Sequence, residues 1–257
     1  MKQSAFIVIL FVVAFAISIA IFNLFLGNPA NFKDAKREVP INLMGQTYTG
    51  GPLVALLITL SIMDVAIIVE RSLSLRKAQG KKAIPKFFKN VIDQIKSGHI
   101  DDAIASCDAQ RGTVANVLRA ALSRYKELTS GKSSIDAEKQ LVEVQRSVEE
   151  VMMLETPLLE KNLLALSTIA SIGTMVGLLG TVIGMIRSFR AISAAGGTPD
   201  AIGLANGISE ALINTAGGLI VAIIGIVSYN VFVNRVDNFT FQVDEASYNV
   251  IQLLKSK

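Results

Sequence analysis

The chain has 257 residues, 51% of them apolar, a mean hydropathy of +0.49 and a formal charge of +4. That is too hydrophobic for an ordinary soluble domain of this size; in a soluble protein the charge would hint weakly at nucleic acid, but here its placement matters more than its sum, and no nucleic-acid partner is expected. A single cysteine, Cys107, excludes an intramolecular disulfide, and a single histidine, His99, leaves no zinc-like ligand set, so no metal or other cofactor is expected.

The apolar excess falls in four blocks: Ala5 to Leu26, Pro52 to Val69, Leu163 to Ile186 and Ala211 to Val233. Each is about the 20 residues a helix needs to cross the hydrocarbon core. The first follows Lys2 and contains Ala14-Phe15-Ala16, a pattern that a signal-peptide cleavage site also shows. Its hydrophobicity continues well past that match, which favours a retained span. The second block alone contains a charge, Asp64. Two readings of it stay open: pairing with Arg71, two turns on along the same face, or contact with a polar group of a neighbouring helix. An intramembrane acid costs about 2.5 to 3.5 kcal/mol on insertion scales, so lipid is not expected beside it.

After the second block come Arg71, Arg76, Lys77, Lys81, Lys82, Lys86 and Lys89, with no acid before Asp93. Basic residues near a membrane stay on the cytoplasmic side, so this flank, Cys107 and both termini are expected in the cytoplasm. Residues 28–51 and the loop around Gly196-Gly197 then lie outside. Arg187 and Arg190, on the outer side of the third span, run against the rule.

Residues 71–161 read as a helical cytoplasmic domain. Ile84, Phe87, Phe88, Val91, Ile92 and Ile95 recur at helical spacing. Further helices are expected over Asp101 to Cys107 and over Val114 to Tyr125. Ser133-Ser134-Ile135-Asp136 reads as another helix start. From Asp136 onward one long helix is expected to run into the third span, kinked at Pro157.

The third span carries Gly173, Gly177, Gly180 and Gly184 along one face, spacing that lets helix backbones approach closely. Beside them runs a stripe of hydroxyls, Ser167, Thr174, Thr181 and Ser188, every seven residues. Each could back-bond to its own helix, but the strict spacing favours a wetted or protein-facing stripe. The fourth span is expected to start early, with Thr198 as N-cap, Pro199 at the first position and Asp200 in the first turn. From Pro199 to Arg235 it would measure about 55 Å at about 1.5 Å per residue, longer than the bilayer core. Glu210 and Asn214 share one face of it, with Thr215 alongside and Gly217-Gly218 one turn on.

The string GLLGTVIGMI, a short loop, GISEALINTAGGL and a YN pair at the span end together resemble the paired signature of the ExbB/TolQ/MotA proton channel family, most like ExbB. The resemblance covers about residues 160 to 235. It implies a homopentamer in the bacterial inner membrane, built around the transmembrane helices of a smaller ExbD- or TolR-like partner whose aspartate carries protons, and working with a TonB-like protein. It places Thr181 and Thr215 on the family's pore threonines and Glu210 on its glutamate. Thr174 and Asn214 extend that polar line, and Gly173, Gly177, Gly180, Gly184, Gly217 and Gly218 serve helix packing. Departures are Gly173-Thr174 where many members have Ala-Pro, Ile224 where they have proline, and an additional N-terminal span beside the usual three.

The expected architecture is therefore an all-α integral membrane protein of four transmembrane helices with a helical cytoplasmic domain. Its segments are residues 1–27, an outer loop 28–51, a second span 52–70, the cytoplasmic domain 71–161, a third span 162–190, a fourth span with its outer extension 191–235 and a C-terminal helix 236–257. A proton-conducting stator that couples proton motive force to work such as TonB-dependent transport is the favoured function. A TolQ-like role in envelope integrity and a non-conducting scaffold are the alternatives; a scaffold needs the glycines but not aligned hydroxyls and Glu210. An enzyme is disfavoured, since no nucleophile with its base, metal set or phosphate loop can be assembled.

Overall fold

The computed structural model describes residues 3–130, 136–193 and 200–255. Met1, Ser133 to Ile135, Gly196, Gly197, Thr198 and Pro199 lie outside the described residues. Among the described residues there is no strand, only an isolated bridge between Phe32 and Pro40. Four helices among these residues are long and apolar enough to cross a membrane.

The chain divides into two compact units, Met1–Val69 with Asn162–Asn230, and Glu70–Lys161 with Val231–Lys257. In the first unit α1 (Gln3–Ala20) widens into a π-helical turn, Ile21–Leu26, capped by Gly27. α1 is exposed along most of its length, with Val8, Val12, Phe15 and Ile19 open to the surroundings. It packs through two small side chains one turn apart, Ala14 and Ser18, both buried, and Ser18 donates to the Ala55 carbonyl of α3 (Pro52–Gln79). Small residues serve best there because lipid gives no hydrophobic drive to helix pairing.

The stretch between these helices, read from sequence only as a loop, is folded. It holds a 3-10 turn, Pro29–Asn31, and a short helix, α2 (Leu43–Thr49). Buried Asn31 ties it together, its amide donating to the carbonyls of Phe25 and Leu26 while its own side-chain oxygen accepts from Asn42. Tyr48 stacks on Phe22 with ring centroids 4.6 Å apart, and the Arg37 guanidinium donates to its hydroxyl. Gly50 and Gly51 lead straight into α3.

In the second unit α4 (Ile84–Lys96) buries Phe87, Val91 and Ile95 at every fourth position, the inner part of the expected apolar face. α5 (Ile100–Gln110) and α6 (Thr113–Ser130) follow, each somewhat longer than expected, and α7 (Ala137–Glu160) returns along α6. Val117, Leu118, Ala121, Leu122, Val144 and Val148 close this core, and the Arg124–Glu143 ion pair joins α6 to α7 at 2.7 Å. That contact holds the Glu143 carboxyl below its ordinary range and the Arg124 guanidinium above its own.

Two expectations about long helices are corrected. The run from Asp136 does not enter the third span as one helix: α7 ends at Glu160, and α8 (Leu163–Ser193) begins after Asn162, whose φ is 64°. Asparagine is among the few residues with a side chain that visit this left-handed region, whereas Pro157 is accommodated inside α7, so the break falls at Asn162 rather than at the proline. The last helix, α9, spans Ala201–Lys255, and just before it, not in its first turn, Asp200 caps it: the Asp200 carboxylate accepts from the Gly203 N–H at 3.0 Å. Arg235 marks no helix end. α8 and α9 carry no break at Gly173-Thr174 or at Ile224.

Candidate functional site

α8 and α9 pack antiparallel along a seam of small residues. A Cβ on Gly173 would lie 2.7 Å from the Val221 side chain, one on Gly177 3.2 Å from the Gly218 Cα, and one on Gly184 2.5 Å from the Gly207 carbonyl oxygen. Gly180 faces Asn214, which fills the space a side chain there would need. Gly218 is closed in by backbone, with the Gly173 carbonyl oxygen 2.6 Å and the Gly177 Cα 2.9 Å from its would-be Cβ. Its neighbour Gly217 instead faces the flexible end of Leu57 on α3, at 3.0 Å.

This register sets the level of the polar residues. With Gly180 against Asn214 and Gly177 against Gly218, Thr181 and Thr215 lie within one helical turn of each other along the seam. Both are partly exposed on the isolated subunit. Thr181 donates to the Leu178 carbonyl at 2.5 Å and Thr174 to Ala170 at 3.2 Å, each within its own helix. Thr215 donates to Ala211 at 3.0 Å and also reaches the Gly177 carbonyl across the seam at 3.4 Å. Of the expected hydroxyl stripe, only Ser188 leaves its own helix, donating to the Leu204 carbonyl of α9. A back-bonded hydroxyl keeps its acceptor lone pairs free.

Toward the start of α9 the polarity becomes ionic. Glu210, 3% exposed, accepts from Arg187 Nη1 at 2.5 Å, while the Arg187 side chain is half exposed. The Glu210 carboxylate lies against Gly51: with φ +75° and Glu210 Oε1 2.9 Å from a would-be Cβ, that position needs both the conformation and the smallness of glycine. Asn214 donates to the Gly50 carbonyl at 2.8 Å, and its own side-chain oxygen is buried without a partner among the described residues. One cluster thus joins the corner before α3 to α8 and α9 through Gly50, Gly51, Arg187, Glu210 and Asn214.

Two readings from sequence change here. Arg187 served only as an exception to the charge rule; its distance from the third span's outer end, matched against that of Glu210 in the fourth, was the available signal for the pair. Asp64 and Arg71 do not pair: Asp64 finds no partner among the described residues, and Arg71 donates to Glu70 and to the carbonyls of Leu158 and Leu159. The adjacent carboxylate wins over one two turns away.

Residues 109–245 match the model of the MotA/TolQ/ExbB proton channel family. The chain belongs to this family. Among curated relatives, "Putative biopolymer transport protein ExbB-like 3" of Synechocystis sp. is 40% identical over 91 residues, which are 35% of this chain and 43% of that protein. "Biopolymer transport protein ExbB" of Pseudomonas putida is 44% identical over 89 residues, again 35% of this chain but 27% of its own length. "Tol-Pal system protein TolQ" of Pseudomonas aeruginosa is 30% identical over a longer stretch of 179 residues, 70% of this chain and 76% of that protein. The chain therefore spans less than half the length of the first two. As a family member with four suitable helices, it is a multi-pass membrane protein. The family match takes in the whole α8–α9 seam, the ion pair and the threonine level.

Proposed function

We propose that this chain is the proton-conducting stator subunit of an inner-membrane complex, assembling as a pentamer around a one-span ExbD- or TolR-like partner and coupling proton flow to work such as TonB-dependent transport. The observation that carries the reading is the threonine level: two partly exposed hydroxyls, Thr181 and Thr215, on adjacent antiparallel helices whose backbones are drawn together by glycine. Such hydroxyls can pass a proton between water and a partner carboxyl, which leucine and glycine cannot do. Thr174 and Asn214 would continue the path, and Glu210 with Arg187 would anchor its outer end. A scaffold would have no use for polarity held at one depth.

The long alignment with TolQ favours a second assignment of the work done, to envelope integrity, with the same pore. Both assignments require Thr181→Val and Thr215→Val, which keep shape and remove the hydroxyl. In the complex purified from its native membrane and reconstituted in vesicles, each should still assemble, while proton flux falls about tenfold or more. Thr→Ser at either site should retain most of it. Wild-type flux in both valine variants would make the threonines packing residues and overturn the pore.

A further inference from the structure

α3 buries one acid among apolar turns. The Asp64 side chain is fully enclosed, Met63 and Ile67 on either side are buried too, and neither carboxyl oxygen has a hydrogen-bond partner among the described residues. Hydroxyls on the preceding turns are already committed: Thr59 donates to the Ala55 carbonyl at 2.8 Å, Ser61 to Leu57 at 3.0 Å, and Ser18 of α1 to Ala55 as well.

Nor is there a counter-charge among the described residues of the same unit. The spans of the same unit carry none at this depth: no charged residue lies between Ala5 and Leu26 of α1 and its π turn, between Leu163 and Ile186 of α8, or between Ala211 and Asn234 of α9. The unit's other helical charges, Arg187, Arg190 and Glu210, sit toward the opposite end of the spans. Asp64 is about 18 Å along α3 from the Gly51 corner where Glu210 lies, and Arg187 already compensates Glu210. At that separation even a full charge contributes only about 1 kcal/mol at an effective dielectric constant near 20, far below the cost of desolvating a lone carboxylate. Further along α3, Glu70 and Arg71 satisfy each other at 2.5 Å. A neutral acid buries at much smaller cost than an ion.

We propose that Asp64 is held as the protonated carboxylic acid at neutral pH, a proton-binding site inside the membrane-spanning unit and separate from the Thr181 and Thr215 level. Any rearrangement that brings water or a cationic group to it releases the proton, and repacking takes one up again. The site stands or falls independently of the pore reading, because its readout is the protonation of one side chain and not flux.

Infrared spectroscopy of the full chain in lipid vesicles tests this. Aspartate labelled with carbon-13 at its side-chain carboxyl should shift a protonated-acid carbonyl band to lower frequency. Every other aspartate (34, 93, 101, 102, 108, 136, 200, 237 and 244) is at least partly exposed, so the labelled band isolates Asp64. Asp64→Asn, which keeps size and neutrality, should abolish the band completely. The proposal is overturned if the labelled wild-type protein has no such band, or if the band survives undiminished in Asp64→Asn. Should that variant fail to fold, the isotope shift in the unaltered sequence decides alone.

Discussion

Burial is unequal within the Arg187–Glu210 pair, and the inequality has a measurable consequence. Glu210 is enclosed, whereas half of Arg187 reaches the surroundings. Removing the carboxylate leaves a guanidinium that can still find solvent; removing the guanidinium strands a buried carboxylate. Glu210→Gln should therefore cost about 1 kcal/mol, close to an exposed pair, and Arg187→Met about 2 to 4 kcal/mol. The double variant should recover part of the larger loss, since it removes the stranded charge. Thermal unfolding of the purified subunit in detergent measures all three, and equal losses in the two single variants would refute the asymmetry. The pair was only half legible in the sequence. Glu210 stood out as an acid inside a long helix, but its partner lies on another helix, and Arg187 had a ready explanation as a flanking charge. Asp64 shows the reverse: Arg71 is correctly spaced for it, yet spacing along one helix says nothing of the carbonyls of Leu158 and Leu159 that also draw Arg71.

For α8 and α9 the glycine spacing was readable before any coordinate, because residues three and four apart share a helix face. Which of two adjacent glycines serves the seam was not. Gly217 meets a movable leucine methyl, while Gly218 meets backbone of α8 that cannot retreat without separating the helices. Alanine at either site gains about 1 kcal/mol of helix propensity. Gly217→Ala should therefore be neutral or slightly stabilising, since the end of Leu57 can rotate away. Gly218→Ala should lose about 1 to 3 kcal/mol net from overpacking. Denaturant titration followed by circular dichroism separates them, and similar outcomes would mean that the backbones are not in contact at Gly218. Helix ends were the least legible feature. Proline advertises a break, but the break fell at Asn162, where the chain needs a left-handed residue, and the cap of α9 fell on Asp200 because its carboxylate reaches the Gly203 N–H.

The topology expected from basic residues gives residues 71–161 to the cytoplasm and 28–51 to the outside, and the natural cysteine is a poor reporter of it. Cys107 is 2% exposed, and burial, with Asp108 adding to it, pushes its thiol up to about 12. Only the thiolate reacts, so at neutral pH almost none of the reactive form is present. Raising the pH toward 9 still leaves the group well below its midpoint. Wild-type protein should consequently resist maleimide on either side of the membrane, and its silence carries no topological information. Exposed substitutes avoid this: Ala105→Cys on α5 and Lys36→Cys in the segment before α2, each in a Cys107→Ala background. In spheroplasts, a membrane-impermeant maleimide should label Lys36→Cys at once and Ala105→Cys only after permeabilisation. The opposite pattern would invert the chain. It would also turn Arg187 and Arg190 from exceptions into the residues that set its orientation, and would move the Glu210 end of the proposed proton path to the cytoplasmic side.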